Sequence, residues 1–293
     1  MIQVTLEKEL GVEAKARVLS QALPYIRTYK GQTVVIKLGG EALDDPGHAA
    51  VVASDLALLV LVGVKLVVVH GGGPQVSAAM SEAGIEPTFV GGLRVTDDAA
   101  METVRKVLVG SINSDLVGRM CTAGLRAVGL SGADAGLLEA VPLKGPGEQS
   151  LGRVGRVTNV RPAVLDDLLE RGYTPVVASV APGPDGGFLN INADAAAAAL
   201  ASAVNAAKLV YVTNVPGLYG DFGDAGSLLS ELGSAELAAM VPGLSAGMRP
   251  KAQSAVEALQ HGVGKVHLLD GRVEHALLLE IFTDEGIGTQ VLP

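Results

Sequence analysis

Short β-branched apolar runs alternate with stretches of helical periodicity along the chain from residue 33 onwards. Strands are predicted at 33–38 and 64–70, and a helix at about 48–62 separates them. A strand, a helix and a second strand in this order form a βαβ unit, whose two strands run parallel. The same pattern predicts further strands at 126–130, 174–180, 188–192, 208–213 and 265–269. It predicts further helices near 74–83, 97–109, 111–123, 162–171 and 272–282, an alanine-rich helix after residue 192, and two helices between 227 and 265.

This alternation predicts an α/β fold in which an open, mainly parallel sheet is sandwiched by helices. Residues 141–161 mix glycine, proline and charged residues with short apolar pieces, which is typical of a loop or a hairpin. Residues 214–227 are rich in turn-forming residues. We expect the segment 141–161 to lie near the end of the molecule that binds a substrate.

A further helix is predicted at 12–29, in front of the first strand, with Leu19, Leu23 and Ile26 at helical spacing. Pro24 within it predicts a kink or a break. A helix of this length is marginal alone and gains stability by packing its apolar face. Because it precedes the domain proper, our hypothesis is that it packs against a neighbouring subunit.

Composition narrows the possible partners. The 293 residues are 48% apolar and only 3% aromatic, and the net charge of −9 argues against nucleic acid as the main partner. One cysteine, Cys121, excludes an intrachain disulfide and a cysteine-based metal cluster, and we expect it to be a small core residue. The first residues lack the apolar core of a signal peptide, and no apolar run approaches the ~18 residues of a membrane span. We expect a cytoplasmic protein without a membrane partner.

Two lysines, Lys37 and Lys251, lie beside turns that glycine residues mark. Lys37 is in the first predicted strand, and Lys251 follows a glycine turn at the start of a helical stretch. The glycines that follow the first two predicted strands include Gly39, Gly40, Gly72 and Gly73. Glycine lets the backbone approach an anion closely, and the first N–H groups of a helix favour negative charge. We therefore expect these segments to surround the phosphates of a nucleoside triphosphate.

A plainer interpretation is open for each segment taken alone. Gly-Gly after a strand is common as a simple turn, and a lone lysine is usually a solvated surface charge. Several such loops in one chain, each after an apolar run, favour phosphate chemistry. The chain contains no G-x-x-x-x-G-K-[ST] loop and no G-x-G-x-x-G after the first strand, so the predicted phosphate site is of another kind.

Three polar residues surround the start of the alanine-rich helix. Asp194 has two interpretations: a helix cap, which the local sequence favours, or a carboxylate that holds two lysines in place and keeps them charged. Asn190 and Asn192 are two apart on a predicted strand and so project to the same face. Paired amides at a strand end suit a polar ligand, although the local pattern is equally compatible with ordinary turn asparagines.

Arg94 follows a Gly-Gly pair and precedes a predicted helix cap at Thr96 or Asp97. An arginine held on a glycine turn is well placed for bidentate binding of a carboxylate, although a lone arginine would be read as a surface charge. The five histidines are scattered without metal-ligand spacing. We therefore expect no protein metal site, and we expect Mg²⁺ to arrive with the nucleotide, ATP.

Together these segments resemble the amino acid kinase family. The resemblance covers residues 18–292, and its segments occur in the expected order as VVIKLGG, VVVHGGGPQV, GLRVTDD, LSGADAG, NINADAAA, VTNVPGLY and SAGMRPKAQSAVEAL. In detail the chain is similar to the branch that phosphorylates the side-chain carboxylate of N-acetyl-L-glutamate with ATP in arginine biosynthesis. GLRVTD, NINAD and the C-terminal DGR…GIGT segment are specific for this branch, whereas KLGG and HGGG are shared more widely.

The resemblance implies a role for each candidate residue. Lys37 and Lys251 stabilise the transferring phosphoryl group, and Asp194 organises both lysines. Backbone N–H groups come from Gly39, Gly40, Gly72 and Gly73. Arg94 binds the α-carboxylate of the substrate, and Asn190 and Asn192 contact the acylamino acid. The positions that depart from the family pattern are Gly92, where Asn or Asp is usual, Ala133, where lysine is expected, and Arg249, which replaces an apolar residue.

The N-terminal helix is similar to that of arginine-inhibited, hexameric members of this branch, in which the helix interlaces dimers. The resemblance therefore implies a homo-oligomer, a hexamer built from dimers. The positions implied for arginine are Tyr25, His267, Glu280 and Gly286. We expect three parts: 1–30 for oligomerisation, 31–202 for the acylamino acid and 203–293 for the nucleotide. The alternatives are a sibling kinase acting on an aminoadipate derivative or a carrier-bound amino group, and a non-catalytic amino acid sensor.

Overall fold

The structure is a computed structural model that describes residues 11–40, 45–221, 223–245, 247–283 and 286–293. The α-helices of these residues are α1 (Val12–Tyr29), α2 (Pro46–Leu61), α3 (Gly73–Glu82), α4 (Asp98–Arg105), α5 (Asn113–Thr122), α6 (Ala163–Glu170), α7 (Ala193–Ala203), α8 (Ser234–Met240), α9 (Arg249–Gln260) and α10 (Ala276–Phe282). The strands are β1 (Thr33–Leu38), β2 (Lys65–His70), β3 (Phe89–Val90), β4 (Leu93–Arg94), β5 (Ala127–Ser131), β6 (Leu138–Lys144), β7 (Ser150–Val160), β8 (Thr174–Ala178), β9 (Val180–Pro182), β10 (Phe188–Ile191), β11 (Lys208–Thr213), β12 (Leu218–Tyr219), β13 (Leu228–Leu229), β14 (Glu231–Gly233), β15 (Val266–Asp270) and β16 (Thr289–Leu292).

An eight-stranded sheet in the order β14-β16-β15-β11-β1-β2-β8-β5 forms the centre of the molecule. The strands from β15 to β5 in this order run parallel, and β16 runs antiparallel to β15. A second sheet has the order β6-β7-β10-β9, and its β6–β7 pair is an antiparallel hairpin. The α/β class, the mainly parallel sheet and the hairpin within 141–161 are thus confirmed.

The two faces of β1 are buried in different layers. Val34, Ile36 and Leu38 pack in one apolar cluster with α2, α5 and α10. Val35 packs in another cluster, with α7 and α9. Because successive side chains of a strand point to opposite faces, Lys37 shares the face of Val35 and is directed towards α7.

The predicted strand at 174–180 is wrong as a single element. Strand β8 ends at Ala178 in the main sheet, and β9 begins at Val180 in the second sheet, with Ser179 between them. The physical reason is that Val180 pairs with Asn190 of β10, while Ala178 pairs with His70 of β2. The chain therefore passes from one sheet to the other within one residue.

The predicted boundary between helices at 97–109 and 111–123 is also wrong. A π-helical segment, Lys106–Ile112, joins α4 to α5 without a break. The N-terminus of α4 is as predicted: the Asp97 carboxylate accepts a hydrogen bond from the Ala100 N–H at 2.7 Å and caps the helix. Cys121 is exposed, contrary to the expectation of a core residue, because its neighbour Met120 takes the buried position of α5.

The last predicted helix begins later than expected, at Ala276 rather than residue 272. The Asp270 carboxylate accepts hydrogen bonds from the backbone N–H and the guanidinium of Arg272, which holds a turn there. His275 then adopts a left-handed backbone conformation with φ of 57°. These two features prevent the helix from extending towards β15.

The N-terminal helix α1 continues through Pro24, so the predicted break is wrong. It packs against α10 of its own chain, and Tyr29 joins the apolar cluster beneath α2. Leu23 is 48% exposed, and the hypothesis of a subunit contact stays a prediction. Within the described ranges no helix, α1 included, combines the length and the apolar character that crossing a membrane requires.

Candidate active site

Two cavities open at the carboxyl ends of the central strands, where α/β proteins bind their ligands. The first cavity, of about 200 Å³, is lined by the loops after β1 and β2, the β3–β4 hairpin and the β10–α7 junction. The second cavity, of about 840 Å³, is lined by the segment after β11 and by the residues from α8 to the start of α9. Lys37 and Asp194 belong to the first cavity, and Lys251 belongs to the second.

The three predicted charged residues meet in one cluster. The Nζ atom of Lys37 lies 2.8 Å from Oδ1 of Asp194, and the Nζ atom of Lys251 lies 2.8 Å from Oδ2. Lys37 and Asp194 are 6% and 4% exposed. This triad, defined as Lys37, Asp194 and Lys251, connects the linings of the two cavities.

Local structure explains why the three side chains converge. Lys37 faces α7 because of the two-residue period of β1. Asp194 is in the first turn of α7, where the helix dipole favours a carboxylate. Lys251 is in the first turn of α9, whose second residue is Pro250, a residue that suits the first helical positions.

The Asp194 carboxyl group, at the centre of the triad, is ionised. Burial alone would raise the pKa of Asp194, but the charges and hydrogen bonds of Lys37 and Lys251 hold that pKa below its usual range. Burial lowers the pKa of Lys37, and attraction to Asp194 opposes this shift while Lys251 adds to it. With both amines protonated, two ammonium groups and one carboxylate leave the triad with one net positive charge.

Three of the four predicted glycines line the first cavity: Gly40, Gly72 and Gly73. The fourth, Gly39, is outside the lining, and its N–H donates to the carbonyl oxygen of Val212 at 3.2 Å. A Cβ atom at Gly72 would lie 2.2 Å from Cδ1 of Ile112, so any other residue here would force that buried side chain to move.

Arg94 is held firmly against α3. Its Nη2 donates to the carbonyl oxygen of Gly73 at 2.8 Å and to Oγ of Ser77 at 2.7 Å, and its guanidinium lies 4.7 Å from the ring centre of Phe89. Nη1 lies 3.4 Å from the sulfur of Met80. Burial lowers the pKa of Arg94, which nevertheless remains a cation in the lining of the first cavity.

Ser77 was missed by the sequence reasoning. Its contact to Arg94 follows from α3, since Gly73, Ser77 and Met80 are separated by four and three residues and share one helix face. That spacing was the available signal, but it identifies the partner only once Arg94 is known to lie over this helix.

Asn190 and Asn192 both line the first cavity, although Asn192 is outside β10. Asn192 is the cap of α7, because its Oδ1 accepts hydrogen bonds from the N–H groups of Asp194 at 2.9 Å and Ala195 at 3.1 Å. The local interpretation of Asp194 as the helix cap is therefore wrong. Asn190 donates from Nδ2 to Oγ1 of Thr96 at 3.2 Å.

The positions that depart from the family pattern lie in different places. Gly92 lines the first cavity with φ of 84°, a left-handed conformation that glycine and asparagine adopt most easily. Ala133 is outside the linings of both cavities. Arg249 donates from Nη2 to the carbonyl oxygens of Pro242 and Leu244, both at 3.1 Å, and so fixes the turn before α9.

A third cavity, of about 330 Å³, lies between α1 and the C-terminal segment. The structure brings together there all four residues that the sequence associated with arginine. The members of that set in its lining are Tyr25, His267, Glu280 and Gly286. It also contains Lys208, whose Nζ lies 5.0 Å from the ring centre of Tyr29.

Three ionisable side chains of the third cavity have shifted pKa values: Lys208, His267 and Glu280. Burial lowers the pKa of Lys208 to about 8. Burial also lowers the pKa of His267, although its hydrogen bond to Glu280 opposes this shift. Burial would raise the pKa of Glu280, but that hydrogen bond holds it below its usual range. A neutral His267 therefore donates from Nδ1 to an ionised Glu280.

In the part of the chain that the structure describes, no three His, Cys, Asp or Glu side chains come together in a way that could hold a metal ion. Both oxygens of the Asp194 carboxylate are in contact with lysines.

Comparison with known proteins places these features in a family. The amino acid kinase family model matches residues 32–270. An acetylglutamate kinase from Acidothermus cellulolyticus is 48% identical over 97% of this chain and 98% of its own length. An acetylglutamate kinase from Frankia alni is 50% identical over 96% of this chain and 82% of its own length.

Among solved structures, an N-acetylglutamate synthase from Neisseria gonorrhoeae in complex with coenzyme A and N-acetyl-glutamate aligns with a TM-score of 0.85 and 28% identity. The alignment covers 95% of this chain but 63% of the synthase, so the chain spans just under two thirds of that protein. The two kinases, by contrast, are covered over 98% and 82% of their own lengths. The chain belongs to the amino acid kinase family.

Proposed function

We propose that the chain is a kinase that uses ATP to phosphorylate the side-chain carboxylate of N-acetyl-L-glutamate in arginine biosynthesis. The observation that supports this proposal above others is the triad, in which one carboxylate holds two ammonium groups between two cavities. The relatives named acetylglutamate kinase, which align along nearly the whole chain, support the choice of substrate.

No side chain of the protein needs to form a covalent bond in this reaction. An oxygen of the substrate carboxylate attacks the γ-phosphorus, the bond from this phosphorus to the β-phosphate oxygen breaks, and its electron pair leaves with ADP. No proton is removed, because the attacking carboxylate is already ionised at neutral pH. The products are an acyl phosphate and ADP, and the protein contributes position and positive charge.

The triad would supply that charge. Lys37 is on the side of the first cavity and Lys251 on the side of the second, so a phosphoryl group that passes between the cavities meets an ammonium group from each side. Asp194 fixes the distance between the two ammonium groups before the ligands bind. Charges held in place in this way stabilise a transition state without reorganising.

The first cavity would hold the acylamino acid. Arg94 would bind its α-carboxylate with the guanidinium hydrogens that Gly73, Ser77 and Met80 do not use. Asn192 uses its oxygen to cap α7, which leaves its amide N–H groups for the substrate. Asn190 donates to Thr96, which leaves its oxygen for the substrate amide N–H. Gly40, Gly72 and Gly73 would offer backbone N–H groups.

The second cavity would hold ATP. Mg²⁺ would stay on the phosphate oxygens, since both oxygens of the Asp194 carboxylate already contact lysines. When bound, the ion would neutralise phosphate charge. The division into 31–202 for the acylamino acid and 203–293 for the nucleotide follows this proposal, and an enzyme of this pathway that draws on cellular ATP would act in the cytoplasm.

The test is an ADP-release assay with N-acetylglutamate, N-acetylaminoadipate and glutamate, in which hydroxylamine traps the acyl phosphate. We expect turnover with N-acetylglutamate and little with the other two. Preference for N-acetylaminoadipate would identify the sibling kinase instead. An absence of turnover with every substrate, in a protein that still binds amino acids, would identify a sensor.

Each lysine of the triad is expected to act mainly in the transition state. Lys37→Ala and Lys251→Ala should each lower kcat by about 100- to 1000-fold and change the KM for ATP much less. Lys106→Ala is the matched control, because that lysine is exposed and pairs with Glu102 on the surface. Steady-state kinetics measure kcat and both KM values for each variant. A near-native kcat in either triad variant would show that this lysine does not stabilise the transition state.

Arg94 is expected to act in substrate binding. Arg94→Lys should raise the KM for N-acetylglutamate about 10-fold or more and leave the KM for ATP nearly unchanged, since lysine cannot replace a fixed guanidinium fork. Arg126→Lys is the control, because Arg126 also stacks on an aromatic ring, 3.9 Å from the centre of Tyr173, but outside the three cavities. A rise in the KM for ATP would move Arg94 to the nucleotide site.

We further propose that arginine inhibits the enzyme from the third cavity, and that α1 joins dimers into a hexamer. The ionised Glu280 is suited to a guanidinium, and Tyr25 of α1 would cover it. An effector can shift the enzyme only by binding one state better than another. The cavity is suited to this, because one wall is α1 and the other is the C-terminal segment.

Deletion of residues 1–28 should reduce the assembly to dimers and weaken arginine inhibition, with catalysis largely retained. Deletion of residues 1–10 is the control, because it leaves α1 intact. Sedimentation and an arginine titration of both proteins provide the measurement. An unchanged mass, or an unchanged inhibition curve, in the longer deletion would exclude α1 from the mechanism.

A further inference from the structure

The histidine at the end of β2 is completely buried next to the glycine loop. His70 is 0% exposed. Its Nδ1 lies 3.0 Å from the carbonyl oxygen of Gly71, and its Nε2 lies 3.0 Å from Nδ2 of Asn113. Neither contact has a part in the substrate binding or the phosphoryl transfer described above.

The neighbours of His70 determine where its ring proton lies. Nδ2 of Asn113 also lies 2.9 Å from the carbonyl oxygen of Val176, which can only accept a hydrogen bond. The amide nitrogen of Asn113 must therefore face both partners, and its two hydrogens go to these two nearer acceptors, since its third neighbour, the Leu130 carbonyl oxygen, is farther away at 3.5 Å. Nε2 of His70 is then an acceptor, and a neutral ring carries its proton on Nδ1 and donates it to the Gly71 carbonyl oxygen.

The ring is neutral near pH 7. Burial lowers the pKa of His70 to about 4, and the charge of Lys37 acts in the same direction. A protonated ring would also need an acceptor at Nε2, where Asn113 presents a donor instead.

The hydrogen bond to Gly71 has a consequence for the next residue. In a trans peptide the C=O and the following N–H point in opposite directions. When the Gly71 carbonyl is directed at the buried ring, the N–H of Gly72 is directed away from it, and Gly72 lines the first cavity. Within the described residues this N–H has no protein acceptor.

The contact between Asn113 and His70 occurs where the helix geometry is irregular. Asn113 directly follows the π-helical segment, a rare element that is frequent at functional sites. Ile112 of that segment lies so close to Gly72 that a Cβ on Gly72 would be 2.2 Å from its Cδ1. The side chain of Asn113 in turn lies against Gly129 of β5, where a Cβ would be 2.1 Å from Oδ1 of Asn113. Glycine thus provides space on both sides of this contact.

We propose that His70 is a positioning residue for phosphoryl transfer: Asn113 fixes its tautomer, and its Nδ1–H holds the Gly71 carbonyl so that the Gly72 N–H is presented to the transferring phosphoryl group. The inference rests on the proposed function, since it needs a phosphoryl group in the first cavity. It assigns no direct contact between His70 and the substrate.

The tautomer can be tested without any activity measurement. Two-bond ¹H–¹⁵N correlation spectra of the ¹⁵N-histidine-labelled protein distinguish a proton on Nδ1 from one on Nε2, and the His70→Gln spectrum identifies the His70 signals. We expect the Nδ1–H form, without titration between about pH 6 and 8. An Nε2–H form, or a ring that titrates in this range, would overturn the inference.

Two substitutions separate positioning from packing. His70→Asn places an amide N–H near the position of Nδ1 and can still hold the Gly71 carbonyl. His70→Gln can accept from Asn113 near the position of Nε2 but lacks the Nδ1 donor. We expect His70→Gln to lower kcat by about 10- to 100-fold with both KM values within about twofold, and His70→Asn to retain most of kcat.

His261→Gln is the control, because His261 is exposed and contacts the carbonyl oxygen of its own helix at Glu257. Thermal midpoints of all variants report any loss of stability. Equal losses of kcat in the two His70 variants would show that His70 acts only through packing and would overturn the inference. A wild-type protein without kinase activity would instead refute the proposed function, and the tautomer spectra would still test the placement of the proton.

Discussion

The carboxylate of Asp194 holds the ammonium groups of Lys37 and Lys251, each at 2.8 Å. An isolated charge as buried as Lys37 or Asp194 would be strongly unfavourable, so these two groups stabilise each other there, and the less buried Lys251 adds a second cation. The mutual contact sets the distance between two cations that come from chain positions more than two hundred residues apart. It also requires that β1 end, and α7 and α9 begin, at the same place.

The charge around the triad differs from that of the chain as a whole. The net charge is −9, yet the cations Lys37, Lys251 and Arg94 outnumber the anion Asp194 around the first cavity and its junction with the second. An anionic substrate therefore meets a local field opposite in sign to the average of the molecule. Arg94 contributes in a fixed orientation, because Gly73 and Ser77 accept its hydrogen bonds.

Much of the fold could be predicted, because the β-branched runs and helical periods directly reflect which faces are buried. Lys37 could be identified as a candidate from its strand and glycine turn, but its contact with Asp194 depends on which face of β1 is covered by α7. One error lies where side chain to backbone contacts decide a boundary, in the Asp270 turn before α10, and another where strand pairing does, between β8 and β9.

Other features leave no local signal in one sequence. The π-helical segment has the composition of an ordinary helix, and the contact between His70 and Asn113 joins residues 43 positions apart. The cap of α7 shows the same limit: Asn192 and Asp194 are both good capping residues, and only the backbone angles at the end of β10 decide between them.

One strand, β11, touches every part of this arrangement. Lys208 at its start is in the third cavity, the Tyr211 hydroxyl donates to the backbone carbonyl of Asp194 at 3.2 Å, and Thr213 at its end is in the second cavity. The strand is buried throughout and bonded to β1 on one side and β15 on the other. Its six residues span about 17 Å and are hydrogen-bonded along both edges, so no loop intervenes between the third cavity and the second. One continuous, buried strand therefore links the three cavities through the middle of the sheet.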